Sequence, residues 1–350
     1  MDLATGAADV AGATRTELTT VSTVAATFHR GTEVAVVDGL EPATPYEQHG
    51  IAFETLPRPA GAFRCRVATV NDVHFGETEA GRVGSNDRGP ILRAPPGAPP
   101  YPSVMSRAAV AELVDADAVE PFAAVIAKGD LTAVGADEEF AAFEDCYRTP
   151  FGERLFAVRG NHDCIAGQTA YAGDQWIELD GLNIALLDTA VPEHAHGRLG
   201  GEQIDWLDSL AGDSTDRVVV MGHHPQLLDA TGEDPSFFLT ADSSAALDEV
   251  LGRRPEIVAY TAGHTHRHRV RRARGDVPSI EVGCVKDFPG TWAEYRVYDG
   301  GILQIVHRVS SPAALAWSEQ CRTLYTDFGL DYTEYALGRL ADRCLLIPYR

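Results

Sequence analysis

Apolar residues along this chain fall into short runs set off by turn-forming residues, and many of the runs are continuous rather than alternating. Arg64 to Asn71, Phe122 to Ala127, Leu155 to Val158, Arg217 to Met221 and Glu256 to Tyr260 read as strands of this kind. Between them the period changes. Met105 to Ala118 places Ala109, Val110, Leu113 and Val114 on one helical face, and Asp137 to Tyr147 opens on acidic residues suited to a helix N-terminus. Leu199 to Leu210 and Ser243 to Leu251 are also helical. This strand–helix–strand rhythm predicts an α/β fold with at least a parallel half. Further strands are predicted at Trp176–Leu179 and Asn183–Leu187 around Asp180-Gly181, and at Ser279–Val282. Tyr295–Tyr298 turns at Asp299-Gly300-Gly301 into Ile302–Val306 as a hairpin.

The ends of the chain differ from the middle. Residues 1–16 are small and polar and are expected to be disordered. In the segment 17–61, residues 17–56 alternate as short strands and Pro57 to Gly61 reads as a linker, and Leu40 to Tyr46 resembles a corner of fibronectin type III modules. A full module needs about 100 residues, so a partial β appendage is predicted, packed on the main domain or on a neighbouring subunit. The main domain is expected over 62–308, followed by a helical C-terminal extension over 309–350. Its Trp317, Tyr325, Phe328, Tyr332 and Tyr335 suggest a packed tail and would also suit a homodimer contact. Residues 75–103 form a long Gly/Pro-rich insertion, of the kind that borders functional sites. Arg82, Arg88 and Arg93 within it either reach a phosphate or are simply solvated.

Composition narrows the partners. The formal net charge of −22 over 350 residues disfavours nucleic acid polymers and anionic membranes. A small phosphate ester stays admissible, because bound cations reverse the local field. No apolar run is long enough for a membrane span, and the first residues lack the basic and apolar pattern of a secretory signal, so a cytoplasmic location is expected. The six cysteines form no Cys-x-x-Cys pair and are expected to be free, mostly buried thiols. Lysine occurs only at 128 and 286.

Five strands end in residues of metal-ligand type: Asp72-Val73-His74, Gly129-Asp130, Gly160-Asn161-His162-Asp163, Gly222-His223-His224-Pro225 and Gly263-His264-Thr265-His266. Any one string is explained by a turn. Ligands in open α/β sheets gather at the carboxyl ends of strands, which would bring all five to one rim. Carboxylate, amide and imidazole donors without a thiolate suit manganese, iron or zinc. Their number exceeds one ion's needs and implies two ions sharing a bridging carboxylate.

In this order the five strings resemble the calcineurin-like metallophosphoesterase superfamily, most of all its bacterial cyclic-nucleotide and glycerophosphodiester phosphodiesterases. Leu199 to Leu207 is similar to the helix before the histidine strand in that group. The resemblance implies a four-layer αββα sandwich, two divalent or trivalent metal ions, and hydrolysis of a phosphodiester by metal-activated hydroxide. By the same resemblance Asp72, His74 and His266 would hold one ion and Asn161, His223 and His264 the other, with Asp130 between them. His162 would stabilise charge at phosphorus and protonate the leaving group, with Asp163 as its orienting partner. His224, His268, His196 and His194 are expected substrate contacts. The β appendage, the 75–103 insertion and Gln226 depart from the bacterial pattern. A phosphomonoesterase at the same site and a non-catalytic metal-binding scaffold remain the alternatives.

Overall fold

The computed structural model describes residues 15–83, 88–229 and 232–349. The disorder expected for residues 1–16 therefore lies outside the described residues, apart from 15 and 16. At the N-terminus β1 (Glu17–Val21), β2 (Ala25–Arg30) and β3 (Glu33–Asp38) form an antiparallel sheet, and β4 (Pro45–Gln48) and β5 (Ile51–Glu54) a hairpin. The chain enters the main sheets with β6 (Phe63–Val70) and passes a short pair, β7 (Glu79–Ala80) and β8 (Leu92–Arg93). It then runs through α1 (Tyr101–Val119), β9 (Ala124–Lys128), α2 (Asp137–Phe143), the single turn α3 (Thr149–Phe151) and β10 (Leu155–Val158). The second sheet takes β11 (Gln175–Leu179), β12 (Leu182–Leu187), α4 (Gly201–Asp213), β13 (Arg217–Gly222), α5 (Ala241–Arg253), β14 (Ile257–Ala262), β15 (Arg269–Arg272) and β16 (Pro278–Glu281). β17 (Thr291–Tyr298) and β18 (Gly301–Arg308) return to the first sheet, and α6 (Pro312–Gln320), α7 (Tyr332–Leu337), α8 (Leu340–Arg343) and β19 (Leu345–Pro348) end the chain.

The two six-stranded sheets have the orders β10-β9-β6-β17-β18-β19 and β11-β12-β13-β14-β16-β15. β10, β9 and β6 are parallel, as are β12, β13, β14 and β16. Parallel strands must be covered on both faces, and successive side chains point opposite ways. Val67, Ile126 and Val158 of the first sheet meet Ile184, Val219 and Met221 of the second. The intervening Val70, Val125 and Ala127 face Met105 and Leu113 of α1 and Phe143 of α2. On the far side, Ala185, Val218 and Val220 face Leu207 of α4 and Leu247 of α5. The result is the four-layer α/β sandwich anticipated from the sequence. No described helix is long and apolar enough to cross a membrane.

The flanking segments pack on this sandwich. Leu18, Val21, Phe28 and Phe53 bury against Tyr298, Leu303 and Ile305 of β17 and β18. The all-helical reading of 309–350 fails at its end, where β19 pairs antiparallel with β18. Leu345-Leu346-Ile347 is too short an apolar run for its period to separate strand from helix, and the open edge of β18 decides. In the 75–103 insertion Arg82 and Arg93 each reach Glu79 at 2.6 Å, and Arg88 donates to the Asp327 carbonyl. Those arginines are thus engaged by protein groups.

Ile347 is fully buried. Ile347→Ala is expected to lower the unfolding free energy by about 2–5 kcal/mol in chemical denaturation. A loss below about 0.5 kcal/mol, the size of a surface substitution, would mean that β19 does not pack as described.

Candidate metal centre

The five strings each follow a parallel strand, namely β6, β9, β10, β13 and β14, so the carboxyl ends of both sheets share one rim. Among the described non-glycine residues with positive φ are Asp72 (53°), His74 (45°), Asp130 (50°), His264 (69°) and His266 (55°). A left-handed backbone is unfavourable for such residues and persists where surrounding structure enforces it, often at functional sites. Two glycines make the close approach possible. A Cβ at Gly160 would stand 2.2 Å from Asp130 Oδ1, and one at Gly263 would stand 2.6 Å from Asp72 Oδ2. Glycine has no Cβ to bring there.

Asp130 sits at the middle. Its Oδ2 is 3.4 Å from His74 Nε2 and 3.3 Å from His223 Nε2, and its Oδ1 accepts from the His162 backbone N at 3.0 Å. To one side Asp72, His74 and His266 bring ligand atoms within 4.8 Å of one another, with His266 Nε2 3.5 Å from Asp72 Oδ1. To the other, His223, His224 and His264 converge within the same 4.8 Å limit. The His74 and His162 rings lie 4.6 Å apart.

The structure corrects two expectations about supporting residues. The partner of His162 is the Ala133 carbonyl, which accepts from Nδ1 at 2.7 Å, not Asp163. Asp163 instead accepts from the backbone N of Leu131 (3.1 Å), Thr132 (2.8 Å) and Gly160 (2.7 Å), fastening the Asn161 loop to the Asp130 loop. His268 offers no nitrogen to a substrate. It is 2% exposed, with Nδ1 accepting from Gly283 N at 3.1 Å and Nε2 facing Thr291 Oγ1 at 3.3 Å. His224 is buried, with Nδ1 2.8 Å from Thr189 Oγ1, while His223 is the member of that pair that reaches Asp130. His194 and His196 lie on the loop before Gly197, which packs against His224, and their rings are 4.7 Å apart.

The electrostatics suit cations. Burial opposes charge on Asp130, but the His223 and His162 imidazoles outweigh it and hold the carboxyl well below its usual range. His264 is brought down to about 3 by burial and then by His223, and His74 is held well below the usual range by burial and then by Lys286. Both are neutral near pH 7 and need shed no proton to bind metal. His223 is lifted to about 9, against its burial, by Asp130. Four buried polar atoms here have no hydrogen-bond partner and no carboxylate assigned to them as an orienting group: His74 Nε2, Asn161 Oδ1, His224 Nε2 and His264 Nε2. Orphaned atoms at this density need an explanation, and a pair of ions supplies one. The donor set therefore fits the metals it implies.

Sequence reasoning did not single out Glu77 or Asp287, and it gave Lys286 no role. Glu77 Oε2 is 3.3 Å from His74 Nδ1 and 2.5 Å from Lys286 Nζ, and Asp287 Oδ2 is 3.6 Å from His266 Nδ1. The available signal was the pair of lysines, both of which are buried near the rim. Lys128 Nζ donates to Thr261 Oγ1 at 3.0 Å and to the Ala262 carbonyl at 3.2 Å, and burial lowers its pKa to about 7.

Residues 65–268 match the family model for calcineurin-like phosphoesterases. A cAMP/cGMP dual specificity phosphodiesterase of Mycobacterium tuberculosis is 31% identical over 156 residues, covering 41% of this chain and 48% of that protein. A probable cyclic nucleotide phosphodiesterase of Synechococcus is 28% identical over 157 residues, covering 41% and 57%. A 3',5'-cyclic adenosine monophosphate phosphodiesterase of Haemophilus influenzae is 28% identical over 216 residues, covering 54% and 75%. The chain spans about half the length of the first two of these relatives. A solved dimetal phosphatase from Danio rerio shares the fold, with a TM-score of 0.57 at 14% identity over 83% of this chain and 100% of that one. With more than half of its length matched to the family model and its layers arranged in that fold, the chain belongs to the calcineurin-like phosphoesterase family.

Proposed function

We propose that the rim binds two metal ions and that the protein hydrolyses a small phosphodiester, with 3',5'-cyclic nucleotides as the first candidates. The observation carrying this reading is Asp130, whose Oδ2 faces His74 on one side and His223 on the other at 3.4 and 3.3 Å. One ion would lie among Asp72, His74, Asp130 and His266, the other among Asp130, Asn161, His223 and His264. The family fold implies two ions, and the donors suit manganese, iron or zinc. Bound there, such a pair supplies a Lewis-acid surface for phosphoryl oxygens and a water of lowered pKa.

The chain's own groups do the rest. A carbonyl can only accept, so Ala133 fixes the proton of His162 on Nδ1 and leaves Nε2 for the substrate. Protonated, His162 stabilises charge on a phosphoryl oxygen and delivers a proton to the leaving oxygen. Asp163 keeps the Asp130 and Asn161 loops in register. Phe237, 45% exposed with its ring 5.8 Å from that of His264, flanks the second set together with the His194–His196 loop. These groups would receive the organic part of the ester. The names of the relatives favour a diester over a monoester.

Three measurements test this reading. The manganese-loaded protein is expected to turn over cyclic AMP or a glycerophosphodiester faster than a simple monoester. Two bound ions with no turnover of any ester would favour the scaffold alternative. His162→Ala should keep its metal and lose a factor on the order of 10² in kcat, whereas undiminished kcat would remove His162 from the chemistry. Gly160→Ala should drive a Cβ into Asp130 and weaken metal binding on the order of tenfold by equilibrium dialysis. Parental affinity in that variant would mean that the Asp130 bridge is misassigned.

A further inference from the structure

The span matched by the family model ends at residue 268, yet the chain beyond it returns to the rim. Val285 N donates to the Asn71 carbonyl at 3.1 Å and Lys286 N to the Asp72 carbonyl at 3.3 Å, so residues 284–287 run along the backbone of the first ligand loop. Asp287 follows and is 1% exposed. Its Oδ1 accepts from Tyr332 Oη and from Cys284 Sγ, both at 2.9 Å. Its Oδ2 is buried with no hydrogen-bond partner and stands 3.6 Å from His266 Nδ1. The opposite nitrogen of that ring, Nε2, faces Asp72.

A buried carboxylate oxygen without a donor is costly, and the Nδ1–H of His266 is the donor that faces this one. Holding the proton on Nδ1 leaves the lone pair of Nε2 for a cation, and the nearby negative charge makes that nitrogen more basic. His74 has the same arrangement, with Glu77 at its Nδ1, and Lys286 Nζ joins the system 2.5 Å from Glu77. His223 differs, since its Nδ1 donates to the neutral Lys128 carbonyl at 2.9 Å. The element that carries Tyr332, α7, also holds the loop of His264 and His266. Tyr335 Oη donates to the Thr265 carbonyl and His268 N to the Ala336 carbonyl, both at 3.1 Å.

We infer that the C-terminal segment is a working part of the metal centre: Asp287 is a positioning residue for His266, and Tyr332 holds Asp287 in place. This inference rests on the metal-ligand role proposed for His266. It assigns the effect to one ion only, the one among Asp72, His74, Asp130 and His266.

The test is calorimetric titration of manganese into the full-length protein after removal of bound metal, for the parent, Asp287→Asn and Tyr332→Phe. Arg339→Ala, which alters an exposed side chain just after α7, serves as the control. Asp287→Asn should weaken one of two binding events by 10–100-fold and leave the other unchanged. Tyr332→Phe should weaken the same event by less, since Cys284 still holds Asp287. Melting of the metal-free variants should match the parent. A parent that binds no ion overturns the metal-centre reading and this inference with it. A parent that binds two ions, with both variants unchanged, overturns this inference alone. So does equal weakening of both events together with a lowered metal-free melting temperature, which would mark Asp287 as merely structural.

Discussion

A carboxylate that is 1% exposed keeps its charge only if positive groups surround it, and Asp130 sets that demand at the point where the two sheets meet. Imidazoles answer part of it. His223 carries the second sheet's share, because its Nδ1 donates across to the Lys128 carbonyl of β9 at 2.9 Å. That hydrogen bond ties the ends of β13 and β9 together, alongside those from His264 N to Asp72 and from Lys128 Nζ to Thr261 and Ala262. Asp163 repeats the device within the first sheet, binding the loops after β9 and β10 through three backbone N–H groups. Metal chemistry asks for positions held to a fraction of an ångström, and hydrogen bonds of buried groups hold them here.

The apolar layers give this rim its rigidity. Val67, Ile126, Val219 and Met221 fill the space between the sheets at residues close to the ligand loops, so any shift of one sheet against the other would disturb both core and site. The unfavourable backbone at Asp72, His74, Asp130, His264 and His266 is the counterpart of that rigidity. Each of these residues turns sharply within a few positions of its strand. The stability of the sandwich absorbs that cost, and the N-terminal strands and β19 add to it by covering the β17–β18 end of the first sheet.

Much of this was legible from residue order alone. The continuous apolar runs of β9, β10 and β13 read as strands covered on both faces because turn residues bound them at strand length, and the ligand-type strings at their ends marked where the rim would be. What could not be read is equally physical. Leu345-Leu346-Ile347 carries no period of its own, and its state depends on the open edge of β18 far away in sequence. The resemblance makes Asp163 a partner for His162, yet a 3-10 turn directs it to the neighbouring loop while a distant carbonyl takes the imidazole. His268 stood close to a ligand string and faces the interior. Glu77 and Asp287 belong to no string, and only the fold brings them behind His74 and His266. The scarcity of lysine singles out Lys128 and Lys286 without saying what they do, and both are buried beside the rim.

The most direct measurement is anomalous X-ray diffraction from crystals of the protein soaked in manganese. Two anomalous peaks about 3.5–4 Å apart, one on each side of Asp130, are the expected result. A single peak, or peaks away from Asp130, would contradict the proposal that two ions share this carboxylate.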